Sequence, residues 1–193
     1  DVYNKLMTGL CQMKDIRNSL RRCAAGETPD HVELFEIKGY LQRLDGMRPV
    51  FEQINAVTHF KGMTFHEVKD ALAVLDPDGT GSRGFYIPDS ATAKLKEIRT
   101  AKKEVEERLF HAQTDAEKDD LRLKRTRLCG EEDAEEMHVR KAMGAALAPM
   151  VDELLSDAET AGRLDFIIQK ALFAVRYGGV KPELTEKDLE LED

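Results

Sequence analysis

The chain has 193 residues, enough for one domain with its own core, or for one domain carrying an elongated appendage, but a tight fit for two. Charged residues make up 34% and aromatics 6%, Trp is absent, and with plentiful Ala, Leu, Lys and Glu this is the composition of a mainly helical chain, so the expected fold class is all-α. The formal net charge of −8 argues against a surface whose main task is to hold a polyanion, because phosphate binding needs Lys and Arg in local excess.

From Val2 to Arg22 the apolar residues Leu6, Leu10, Met13, Ile16 and Leu20 recur at spacings of three and four, which predicts one helix ending at Gly26. Thr28, Pro29 and Asp30 supply start signals for the next helix, whose broad buried side comprises Val32, Leu34, Phe35, Ile37, Leu41 and Leu44. Pro49 is expected to bend or restart it. Thr64 and Glu67 have the spacing of a capping box and open a short helix that stops at Leu75, before Asp76-Pro77 and the turn residues Gly79 and Gly81.

The apolar Phe85-Tyr86-Ile87 reads as a short buried extended segment. Asp89 or Ser90 is expected to cap a long helix to about Ala112, with Leu95, Ile98, Val105 and Leu109 at nearly heptad spacing, the pattern of a helix paired along its length. Thr114 and Glu117 form another possible capping box, and Gly130 is expected to break the chain. A second long helix runs from Glu131 to Ser156 with Met137, Met143, Leu147, Met150, Leu154 and Leu155 on its apolar side, kinked at Pro149. The two helices, joined by a compact segment from Gln113 to Glu132, predict an antiparallel arm on a helical core. The last helix, Asp157 to about Tyr177, is apolar nearly all round through Leu164, Phe166, Ile167, Ile168, Leu172, Phe173 and Val175, and is expected to lie in a core until Gly178 and Gly179 stop it. An acidic tail with Leu184, Leu189 and Leu191 follows.

Asp76, Asp78, Thr80 and Gly81 match positions 1, 3, 5 and 6 of an EF-hand loop, but position 12, which must be a bidentate carboxylate, is Ile87, and Arg83 stands where an apolar residue is normal. The stretch therefore reads as a structural turn. His66-Glu67-Val68-Lys69-Asp70 approaches the zinc motif H-E-x-x-H and lacks its last letter and a third ligand, so it reads as a solvated helix face and no metal site is assigned. No G-x-x-x-x-G-K-[ST] loop occurs, and no catalytic residue is assigned. The one candidate nucleic-acid cluster is Arg122, Lys124, Arg125 and Arg127, near the expected arm tip. Its neighbours Glu117, Asp119, Asp120, Glu131, Glu132 and Asp133 favour instead a solvated, charge-balanced face.

Cys11, Cys23 and Cys129 are odd in number and lack C-x-x-C spacing, which argues against a disulfide framework or zinc knuckle and fits a reducing, cytoplasmic setting. No apolar run approaches the ~20 residues of a membrane span, so no membrane partner is expected. The opening residue, Asp1, hints at a piece of a longer polypeptide.

"FYIPDSATAKLKEIRTAKKEVEERL" resembles the segment of MutS-family DNA mismatch-repair ATPases that leads from the core into the first lever helix, especially in the branch lacking a mismatch-reading domain, where an Asp-Ser/Ala-Ser turn precedes a Leu-x-x-Ile-Arg helix. "MVDELLSDAETAGRLDFIIQKALFAVRYGGVKPEL" is similar to the returning lever and last core helix, with Leu164-Asp165 and Lys181-Pro182-Glu183 at the matching places, and "HVELFEIKGYL" to a core helix. The resemblance implies a helical core over 1–88, a lever hairpin over 89–158 and a returning core helix with a linker over 159–193, leading to an ATPase domain absent from these residues. It further implies that ATP, Mg and DNA are ligands of a dimeric parent, with no cofactor in this segment. The family's replication-repair members insert a DNA-embracing clamp between the levers; a connection of about 20 residues is too short for an independently folded domain. The expected function is thus to pass nucleotide-driven movement to a distal arm, and the alternative is a stand-alone helical adaptor that binds a protein through its arm.

Overall fold

The computed structural model describes residues 2–180, and among them the secondary structure is helical throughout, with no strand. The all-α expectation holds. Seven α-helices follow in order: α1 Val2–Cys11, α2 Arg17–Ala24, α3 His31–Thr58, α4 Lys69–Leu75, α5 Ala93–His111, α6 Asp115–Leu147 and α7 Val151–Tyr177. The acidic tail and Lys181-Pro182-Glu183 lie outside the described residues.

The expected first helix is two. Asp15 accepts hydrogen bonds on its carboxylate from the Arg17 backbone N–H at 3.1 Å and from the Arg17 guanidinium at 2.8 and 2.6 Å, a local bond that competes with the helical ladder and starts the chain afresh. Leu6, Leu10, Ile16 and Leu20 still reach one core, because the break turns the chain without reversing its buried side. At the end of α2 the Glu27 N–H reaches the Arg22 carbonyl, the Gly26 N–H reaches that of Cys23, and Gly26 takes φ +79°, a Schellman ending.

Asp30 then caps α3 reciprocally: its carboxylate takes the Glu33 N–H at 2.8 Å and the Glu33 carboxylate takes the Asp30 N–H at 2.9 Å. With its 28 residues α3 forms the floor of the core, burying Leu34, Ile37, Leu41, Leu44, Met47 and Phe51, and it runs through Pro49 without restarting. α1 and α4 pack on it, α2 packs on α6 and α7, and the second half of α6 enters the same core through Val139, Met143 and Leu147.

Several expected boundaries moved. Thr64 caps nothing; residues 64–68 are non-helical and α4 begins at Lys69, because the His66 N–H is spent on the buried Asp157 carboxylate at 3.0 Å. Thr92, rather than Asp89 or Ser90, caps α5 by accepting the Leu95 N–H at 3.0 Å, and Asp89–Ala91 form a single 3-10 turn. Of Phe85-Tyr86-Ile87, Ile87 is buried and Tyr86 is exposed. Gly130 breaks nothing: α6 continues through it for 33 residues, about 50 Å. The arm's connection is therefore the turn Ala112–Thr114, with Thr114 accepting the Glu117 N–H. Pro149 sits in a 3-10 turn, Ala148–Met150, between α6 and α7.

The last expectation fails more broadly. α7 is buried through Val151, Leu154, Ala161 and Leu164, but its C-terminal half, expected in a core, leaves Phe166, Phe173, Val175 and Tyr177 exposed. The helix outruns the body it packs against, and no other described element covers its far end.

Two glycines of α6 give opposite predictions. A Cβ on Gly130 meets nothing within 4 Å, whereas a Cβ on Gly144 comes to 2.8 Å from Cδ of Pro29, a rigid ring in the loop that α6 crosses. Gly130→Ala should stabilise the protein by about 0.5–1 kcal/mol through helix propensity. Gly144→Ala should destabilise it by about 1–3 kcal/mol through overpacking. Urea unfolding of both variants checks the pair.

Candidate functional site

The arm is an antiparallel pair, α5 against α6, with its own small apolar cluster of Ile98, Val105, Leu121 and Leu128 flanked by Ala101, Leu109 and Ala112. In Leu95-x-x-Ile98-Arg99 the helical period sends Leu95 into the main core and Ile98 into the arm seam. Arg99, one position on, faces α6.

There Arg99 is the hub of the arm root. Its side chain is only 11% exposed. Nε donates to Glu132 at 3.0 Å, Nη2 to Glu136 at 2.7 Å, and Nη1 to both the Ile87 carbonyl at 2.8 Å and the Asp89 carboxylate at 2.5 Å. The guanidinium lies over the Tyr86 ring, 4.6 Å from its centroid. One side chain thus ties α5, α6 and the segment before α5 together, and the planar fork of arginine suits this in a way that lysine does not. Around it, Lys102 pairs with Glu132, Lys94 and Thr92 bind Glu135 at 3.0 and 2.8 Å, and His31 of α3 meets Glu136 at 3.2 Å.

The electrostatics follow from this geometry. Burial acts to lower the pKa of Arg99, but hydrogen bonds to Asp89, Glu132 and Glu136 outweigh it and raise it above the ordinary arginine value. Burial acts to raise Glu132, and the Lys102 and Arg99 hydrogen bonds overcome that and hold it below 4.5. The Lys94 and Thr92 bonds depress Glu135, and the Arg99 bond depresses Asp89.

The basic cluster lies on α6 close to the arm turn, but it is not one patch. At about 100° per residue, Arg122 and Arg125 fall on one side of α6 and Lys124 and Arg127 on the opposite side. Arg122 pairs with Asp119 at 3.1 Å, Arg125 with Glu106 of α5 at 2.8 Å and Arg127 with Glu131 at 2.9 Å. Lys124 makes no ion pair with the described residues. The structure therefore separates the four cations into two pairs and gives three of them a carboxylate.

The Asp76 loop is a built corner. Its carboxylate accepts from the Thr80 N–H and hydroxyl at 3.2 and 2.9 Å and from the Gly81 N–H at 2.7 Å, and Lys38 Nζ stands 3.5 Å away. Asp78 takes a hydrogen bond from Ser90. The Lys38 ammonium beside this loop is buried. Among the described residues no group of three His, Cys, Asp or Glu stands where it can hold a metal ion.

Comparison of the chain with protein families, curated proteins and solved structures gave no match.

One polar site was missed in the sequence. Asp157 is fully buried and accepts from both the His66 N–H, at 3.0 Å, and the His66 ring at Nδ1, at 2.8 Å, so it pins the segment before α4 to α7. Tyr40 Oη is buried without a partner among the described residues; burial first, and then the charge of Asp157, push its pKa well above the usual value. The signal was available: Asp157 lies on the apolar face of α7, three after Leu154 and four before Ala161. A charged residue on a core face needs a buried partner.

Arg99→Ala should destabilise the protein by about 3 kcal/mol, because Glu132 and Glu136 lose the guanidinium they share where there is little water. Arg99→Lys should recover only part of this. The depressed carboxylates Asp89, Glu132 and Glu135 contribute stability that is complete above their ordinary range and is lost as pH falls through their folded values. The stability of wild type should therefore fall more steeply below pH 4.5 than that of Arg99→Ala, as thermal unfolding against pH will report.

Proposed function

We propose that the chain is the non-catalytic core and lever of a MutS-like DNA mismatch-repair ATPase, a transmitter between nucleotide-driven movement elsewhere in the parent and DNA engaged by its arm. The observation that supports the reading is the arm root: Tyr86, Asp89 and Arg99 all lie within the stretch that carries the resemblance, and the first two hold Arg99 where it bonds to α6. A helix pair with its own apolar seam, fastened at its base by ion pairs, moves as a rigid body instead of bending where it is pushed. On this reading ATP and Mg belong to a domain beyond these residues, the parent is a cytoplasmic dimer, and DNA is met through the arm. No helix among the described residues is long and apolar enough to cross a membrane.

Lys124 and Arg127, which share one side of α6, are the cations that such an arm presents to a phosphate backbone. Changing both to Ala in the parent should weaken duplex binding at all sequences alike and reduce the salt dependence by about one unit of slope for each phosphate no longer touched. Fluorescence anisotropy against salt concentration reads this; an unchanged slope removes the arm from the DNA interface.

The alternative, a helical adaptor that binds a protein through its arm, draws no support from the arm's seam, which α5 and α6 fill themselves; an adaptor would instead use the exposed Phe166, Phe173 and Tyr177 of α7, an apolar face of the kind that protein partners cover. The intact mass and peptide map of the native product separate the two. A chain continuing into a G-x-x-x-x-G-K-[ST] loop supports the lever of a larger ATPase, and a native chain ending near Asp193 overturns it in favour of the adaptor.

A further inference from the structure

Away from the arm, a cleft of about 420 Å³ opens where the connection from α1 to α2, the first half of α3 and the loop after α4 meet. It brings together Lys14 from the first, Phe35, Glu36, Gly39 and Arg43 from α3, and Arg83 from the loop. Although Asp and Glu outnumber Lys and Arg by 37 to 29 in the chain, none of these three cations makes an ion pair with the described residues.

The cleft is built, not an accident of exposed side chains. Phe35, Gly39 and Arg43 stand at successive fourth positions of α3 and so form one stripe. Glycine weakens a helix interior relative to alanine, and here its missing Cβ makes room for a guanidinium. A Cβ on Gly39 falls 2.9 Å from Nη1 of Arg43, which donates to the Gly39 carbonyl at 2.6 Å. Arg43 Nε is buried and has no partner among the described residues. Arg83 is held from both sides, since the Ser82 carbonyl accepts from Gln42 at 3.0 Å and the Gly84 carbonyl accepts from Lys38 at 3.3 Å, both on α3.

We infer that this cleft binds a small phosphate monoester, its phosphate between Lys14, Arg43 and Arg83 and its flat or apolar portion against Phe35. Lys14, Arg43 and Arg83 against the single carboxylate of Glu36 leave an excess of two positive charges, the complement of a monoester dianion at neutral pH. Arginine forks suit phosphate oxygens. Phe35, 46% exposed, supplies the apolar wall, and the volume is that of a small-molecule pocket. The inference does not rest on the lever reading.

The test is an NMR titration of the 193-residue chain with phenyl phosphate, and with diethyl phosphate as a singly charged control, at low salt. Saturable shifts confined to Lys14, Phe35, Gly39, Arg43 and Arg83 are expected, with diethyl phosphate at least about tenfold weaker. Arg83→Gln, on an exposed loop, should weaken phenyl phosphate by about tenfold with an unchanged helical circular dichroism spectrum. Gly39→Ala should keep or raise Tm while weakening the ligand, because the new methyl displaces the Arg43 guanidinium. Absence of saturation, equal binding of the two esters, shifts scattered over all surface Lys and Arg, or an Arg83→Gln variant that binds like wild type would each overturn the proposal.

Discussion

The rest of this architecture depends on how a long, charged helix pair is joined to a small apolar core. The arm's apolar seam is thin, resting on Ile98, Val105, Leu121 and Leu128, and a seam of that size defines the pairing of two helices but not their angle to a body. Arg99 supplies the missing constraint. By reaching two carboxylates of α6, one carboxylate and one carbonyl of the preceding segment, and a tyrosine ring, it makes the direction of the arm a property of the core. A guanidinium with this many acceptors and little water has no comparable arrangement within reach, so the joint is stiff.

Polar anchoring recurs wherever helices of this chain must be placed relative to one another. Asp157 fastens the segment before α4 to α7, Lys38 and Gln42 fasten the loop after α4 to α3, and Arg140 of α6 donates to the Pro29 carbonyl at 2.9 Å. With leucine the commonest side chain of the core, apolar burial gives cohesion without much direction, and directional bonds at element ends choose among otherwise similar packings. The lever reading needs such joints to be stiff, and the anion cleft draws on them too, since the bonds that hold the loop also present Arg83.

The C-terminal half of α7 is the exception to this order. Its side chains are apolar on nearly every side, yet beyond Leu164 only Ile167 and Ile168 still pack on the core, and Phe166, Leu172, Phe173, Val175 and Tyr177 are exposed. The adaptor reading makes use of that face as a surface for a partner, because leaving aromatic side chains in water is costly.

Much of the helical class, the heptad-like seam of α5, the Thr114 cap and the ends at Gly26, Leu75 and Gly178 could be read directly, because periodicity and capping act within a few residues and carry their cause with them. The break at Asp15 was missed since a side chain outcompeting the helical ladder leaves no mark on the apolar spacing. Gly130 misled for the reverse reason: a glycine weakens a helix, but thirty-three residues of α6 packed on two bodies outweigh it. The basic cluster was legible as composition and not as a surface, because its division between two sides of α6 and its pairing with Glu106 depend on the partner helix. What the sequence determined alone was local, namely which segments are helical and which of their faces are apolar. The Arg99 hub, the Asp157–His66 pair and the cleft of Lys14, Arg43 and Arg83 were decided only by tertiary structure, because each joins residues whose separation in the chain no local rule spans.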